Sequence, residues 1–122
     1  MKPAILHHLE QEVHAWQRSL EFFKQENTML KYRLSEMVDE TDNEALLKSA
    51  EVFQNEFLKN DELLDRFSTS LRSFSATLNN QVTKQKADII QEQNRLRKNI
   101  HEFEKQFFVT ATEFNSRMLP LF

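Results

Sequence analysis

His7, Glu10 and His14 are the first residues along the chain whose types and spacing could do chemistry. Steps of three and four on a helix put all three near one face, and imidazole with carboxylate on one face suits a borderline divalent metal. A bundle di-iron site also needs Glu-x-x-His patterns on further helices, and none exists here; the fourth His, His101, lies far along the sequence. His7, Glu10 and His14 are therefore only weak metal candidates, a solvated polar face accounts for them, and no cofactor is expected. Paired carboxylates occur at Asp61-Glu62 and Glu102/Glu104, on positions that read as exposed, where nothing would desolvate them toward a catalytic pKa. Ser and Thr are plentiful, yet no Gly-x-Ser-x-Gly elbow or phosphate-cradling loop is present. The chain is not expected to be an enzyme.

The reason is compositional. The 122 residues include no Gly, no Cys and only two Pro, Pro3 and Pro120. Tight turns and phosphate loops use Gly for positive φ or close backbone approach, so its absence argues against sheets and most catalytic loops. Without Cys there are no disulfides and no thiolate metal sites. Charged residues make up 29% and apolar residues 39%, a balance suited to long helices that need two or three apolar positions in seven. A net charge of −3 creates no basic field for nucleic acid. The third segment carries a local +2, which pairing with the acidic second segment explains, so nucleic acid is not an expected partner. No window approaches a membrane span, and the N-terminal residues lack the apolar run of a secretory signal, so a cytoplasmic location is expected.

The elements that must position these residues follow from heptads. With Leu6 at position a, the a series is Leu6, Val13, Leu20, Asn27, Leu34 and the d series Leu9, Trp16, Phe23, Leu30, Met37. The polar run 39–43 then marks a turn, and Thr41 followed by Glu44 fits a capping box opening the next helix. The second segment places Ala50, Phe57, Leu64, Leu71, Leu78 at a and Phe53, Asn60, Phe67, Phe74 at d. The third is shifted by one residue, with Val82, Ile89, Leu96, Phe103 at d and Ile100, Phe107, Phe114 at a; the break falls at Asn79-Asn80-Gln81. Eight of the eleven Phe lie in these seams, too many rings for the narrow interior of a two-stranded coil.

The expected fold is an all-α, antiparallel three-helix coiled-coil-type bundle forming a single domain over 1–122. Helix one covers about 4–38, helix two about 42–78 and helix three about 82–118, each about 52 Å long, with an apolar tail at 118–122. The alternative is a helical hairpin whose second helix runs on through the third, dimerising into a four-helix bundle; matching lengths and the register break favour three helices. The outline resembles spectrin-type three-helix repeats, which also carry a Trp near the middle of the first helix, as Trp16 stands here. Bundles of this sort serve as adaptors, assembly modules and holdase-like chaperones, among which the fold does not choose.

Three features remain beyond the seams. Ala15, Phe22 and Met29 form an apolar row at position c, and Ile90 and Phe108 lie off the seam of helix three. The tail Met118, Leu119, Leu121 and Phe122, broken by Pro120, either plugs the end of the bundle or contacts something else. Asn27 and Asn60 are polar residues within apolar seams, whose usual role is to fix register. Pairing about the Thr41 turn would set Asn27 opposite roughly residue 55, so the two Asn need not meet. The expectation is a structural or interaction module that associates with itself, a dimer being favoured, or with a protein partner. The alternative is a metal- or ligand-binding regulatory bundle using the His-bearing polar end.

Overall fold

In the computed structural model, which describes residues 4–79 and 85–121, the heptad spacing becomes three α-helices and a terminal 3-10 turn. Helix α1 spans Ala4–Asp39, α2 Glu44–Asn79 and α3 Lys86–Met118, and the turn is Leu119–Leu121. Among the described residues there is no strand, and the chain is an all-α three-helix bundle. Asn27 of α1 bonds to Phe57, Asn60 and Asp61 of α2, while Gln93 of α3 reaches Leu9 and Glu12 of α1. These contacts, with the short connection from α1, make α2 antiparallel to its neighbours and α3 parallel to α1. No described helix is long and apolar enough to cross a membrane.

Burial follows the seams. The a and d residues of α1 and α2 are buried, apart from half-buried Leu6, Trp16 and Phe67. Gln85 is extended, at φ −63° and ψ 147°, so α2 and α3 are not one continuous helix and the long-helix alternative is excluded. Helix α3 starts at Lys86 rather than near residue 82. The Gln85 carbonyl accepts the first helical bonds, from Asp88 N at 3.0 Å and Ile89 N at 3.2 Å. No side chain caps this start, and Asp88 supplies the negative charge that favours a helix N-terminus. Of the expected break, Asn79 ends α2, whereas Asn80, Gln81 and the seam residue Val82 lie outside the described residues.

Two details of the α1–α2 hairpin differ from expectation. The cap of α2 is Asn43, not Thr41. Its Oδ1 accepts from Ala45 N at 2.9 Å and Leu46 N at 3.3 Å, satisfying two N–H groups that have no helical partner. The Thr41 hydroxyl instead accepts from Asn43 N, at 3.1 Å, which folds the turn ahead of the helix. Capping two residues later moves the pivot of the hairpin toward Asn43, and this brings Asn27 and Asn60 together. Asn60 Nδ2 donates to Asn27 Oδ1 at 3.4 Å; Asn27 Nδ2 donates to the Phe57 carbonyl at 2.9 Å and to Asp61 Oδ1 at 2.7 Å. Lys31 Nζ closes the chain on Asp61 Oδ2 at 2.6 Å. Asp61, which reads as an exposed carboxylate in the sequence, is half-buried at this seam.

The aromatic rings fall into two groups. Phe53, Phe57 and Phe114 pack with centroids 5.4 to 6.3 Å apart toward the turn end, with the Arg117 guanidinium 5.9 Å from the Phe53 ring. Phe23, Phe67, Phe103 and Phe107 occupy the middle. Rings join α3 to both other helices: Phe103 and Phe107 meet Phe23 of α1, and Phe103 and Phe114 meet Phe67, Phe53 and Phe57 of α2.

The tail is partly corrected. Met118 is fully buried in the chain's own core and is not a surface residue. Burial along the end of α3 runs Phe107, Thr110, Phe114, Met118, an eleven-residue period that carries the buried stripe off the heptad frame. Leu121 packs against the core and is half-buried, Leu119 is exposed, and Phe122 lies outside the described residues.

Two outcomes are expected on denaturant unfolding. Asn43→Ala lowers stability by ~1 kcal/mol by removing the cap, and Asn43→Asp retains most of it. Asn27→Leu costs ~1–3 kcal/mol because it strands Asn60 beside a buried apolar group, and adding Asn60→Leu costs less than the sum of the two single changes.

Candidate functional site

The off-seam apolar residues of α1 and α3 converge on one side of the bundle. Position c of α1 lies next to position g, and Glu12 at g and Trp16 at d both meet Arg97 of α3, so the row Ala15, Phe22, Met29 runs along the flank nearest α3. Ile90 and Phe108 lie on the flank of α3 nearest α1, beside Arg97 and Glu104 in the same frame. Phe22 is 50% exposed, Met29 52% and Phe108 56%, while Ala15 and Ile90 are half-buried.

The two exposed rings share one buried neighbour. Phe22 meets Phe23 at 5.4 Å and Phe108 meets it at 5.7 Å, both edge to face. Phe23 is itself held by Phe103 at 5.8 Å and Phe107 at 5.0 Å, and Phe108 also rests on Phe107 at 6.2 Å. One side of each exposed ring is therefore fixed to the core and the other is open to solvent. Edge-to-face pairs of this kind add about 0.5–1.5 kcal/mol beyond burial, which orders the exposed rings before anything binds them.

A polar clasp closes the N-terminal half of the same seam. Glu12 accepts from Arg97 Nε at 3.0 Å, Arg97 Nη2 at 2.5 Å and Gln93 Nε2 at 2.6 Å. Gln93 is fully buried, and its Nε2 also lies 3.5 Å from the Leu9 carbonyl, while its Oε1 has no partner. The Arg97 guanidinium sits 5.9 Å from the centre of the Trp16 ring. The Arg97 bonds hold the Glu12 carboxyl below the usual carboxylate range, against an opposing effect of burial, with the Gln93 amide adding to the lowering. Below the clasp, Trp16, Ile100, His101 and Glu104 line an open groove of about 420 Å³.

Gln93 and the buried Thr110 escape the apolar reading of the sequence because they are polar. Extending the a series Ile100, Phe107, Phe114 back by one heptad lands on Gln93, and extending the d series Leu96, Phe103 forward lands on Thr110. The clasp was signalled only by opposite charges at g of α1 and e of α3, which became a pair once the helices proved parallel.

The metal candidates are not gathered into a site. His7 Nε2 lies 3.1 Å from Gln11 Nε2, one turn along, and His14 is exposed. Among the described residues no group of three or more His, Cys, Asp or Glu side chains could hold a metal ion, so sharing a helix face does not make His7, Glu10 and His14 a ligand set. Asn27 and Asn60 are absorbed in the α1–α2 network, and Asn60 also borders an open groove of about 550 Å³ between α2 and α3, with Phe67 and Phe103.

No protein-family model, curated protein or solved structure matches the chain. The resemblance to spectrin-type repeats thus rests on the three-helix outline and Trp16.

The clasp predicts a direction for acid sensitivity. A carboxyl whose folded pKa is depressed contributes stability above its unfolded pKa, and that contribution is lost as the pH falls through the folded value. Urea unfolding of wild type and Glu12→Gln should therefore show a stability gap at neutral pH that closes as the pH drops below the usual carboxylate range.

Proposed function

We propose that this chain is a non-enzymatic structural or interaction module, associating with itself or with a protein partner through the apolar face that α1 and α3 share. The observation that carries the reading is the placement of Phe22 and Phe108, half in solvent, on either side of buried Phe23. Ordered aromatic residues with one open side are the kind of surface on which association concentrates, since little entropy is lost in fixing them. Burial of that face would supply about 25 cal/mol for each Å² of apolar area removed from water.

The reading has a direct test. Phe22→Glu with Phe108→Glu puts two carboxylates on the face without touching the seam positions, so helicity by circular dichroism should be retained. Light scattering should then show a lower mass for the double variant than for wild type, or affinity capture should lose a protein that wild type retains. If mass and captured proteins are both unchanged, association does not use this face.

A further inference from the structure

Resting on the reading of the α1–α3 face as an association surface, we infer that its occupant is a second copy of this chain, lying antiparallel with the two-fold axis at Phe22. The inference comes from the full row of which Phe22 is the centre. Extending Ala15, Phe22, Met29 by one heptad each way gives His8, Ala15, Phe22, Met29, Glu36 along one flank of α1. All but half-buried Ala15 are exposed.

That row is self-complementary when reversed. With α1 laid antiparallel on α1 of the second copy about Phe22, each residue meets the one equally far on the other side. Phe22 meets Phe22, the small Ala15 leaves room for the long Met29, and His8 faces Glu36. At the g positions beside the row, Glu12 comes level with Arg33 to within one residue, about 1.5 Å of rise. No like charges are set against each other along the stripe: an imidazole faces the Glu36 carboxylate, and Glu12, already held by Arg97 of its own chain, lies level with a guanidinium. Phe108 shares the level of Phe22 through their common neighbour Phe23, so the same axis brings the α3 rings together.

The other two-fold arrangement matches poorly. With the axis along the bundle, α1 faces α3 of the second copy. Phe22 then meets Phe108, but Ala15 falls near His101 and Met29 near Asn115, seven residues to either side of Phe108. Two of the three apolar residues of the row would be set against polar ones. From His8 to Glu36 the stripe runs about 42 Å, so a strip one helix (about 10 Å) wide gives roughly 420 Å² per copy from α1 alone, to which the α3 rings at the level of Phe108 add.

The absence of Cys makes disulfide mapping direct. Ala15→Cys and Met29→Cys chains would be oxidised alone, and also after mixing under reducing conditions so that subunits exchange. Antiparallel pairing predicts a linked dimer from the mixture, joining one Ala15→Cys chain to one Met29→Cys chain. Either variant alone should stay unlinked, because its two identical positions lie about 21 Å apart along the axis, far beyond disulfide reach. Efficient linkage of either variant with itself would overturn the antiparallel register. A single-chain mass for wild type by light scattering would overturn the second-copy assignment. If Phe22→Glu with Phe108→Glu then still abolished capture of another protein, the face would belong to a foreign partner and the association reading would survive; unchanged capture would sink both.

Discussion

The Phe23 ring meets four other phenylalanines, one beside it on α1 and three on α3, and the spacing of that stack governs this side of the molecule. Helices joined by small or aliphatic side chains can draw together. Helices separated by edge-to-face rings cannot, because centroids 5 to 6 Å apart set the separation whatever the flanking residues prefer. Beside that stack Phe22 and Phe108, one step outside the seam, keep an exposed side, while toward the N-terminus of α1 the Glu12–Arg97 pair closes the same flank. Ring packing that stabilises the interior thus also determines what the exterior presents.

The two polar clusters perform different tasks against this background. Asn27, Asn60, Asp61 and Lys31 tie α1 to α2 in the middle of the hairpin, where a slip of one heptad would otherwise cost little in an apolar seam. Glu12, Gln93 and Arg97 tie α1 to α3 where the rings do not reach. Between them they fix two relative positions that hydrophobic contact alone leaves loosely specified.

Helices and core were legible because each buried residue of α1 and α2 obeys a three-four spacing that no strand or loop would produce. What failed to show depends on geometry that spacing does not encode. Capping by Asn43 rather than Thr41 is a two-residue choice inside a polar run, yet it moved the opposite number of Asn27 from roughly residue 55 to residues 57–61 and made the two Asn meet. Met118 was read as tail because the heptad frame assigns the inward position to Arg117, and only the change to an eleven-residue period turns the Met inward. The off-seam row was visible as residues at c, but its convergence with Phe108 needed the parallel direction of α1 and α3. The His7, Glu10, His14 spacing matches a metal face in sequence, and among the described residues no group of three or more such side chains is placed to hold an ion.

The short connection between Asp39 and Glu44 also has a kinetic side. Closing a loop of a few residues costs little chain entropy, and each further contact of the α1–α2 hairpin zips outward from it, so the order of assembly is written into the connectivity. Asn27 and Asn60 lie only 33 residues apart along the chain, whereas Glu12 and Arg97 are 85 apart. Phe67 and Phe103, which join α2 to α3, are 36 apart, so both pairs of consecutive helices close through local contacts and only the α1–α3 contacts span most of the chain. Until α3 docks, Phe23 lacks the Phe103, Phe107 and Phe108 rings that surround it in the folded chain, so the contacts between the first and third helices are the ones that carry the largest loop-closure cost.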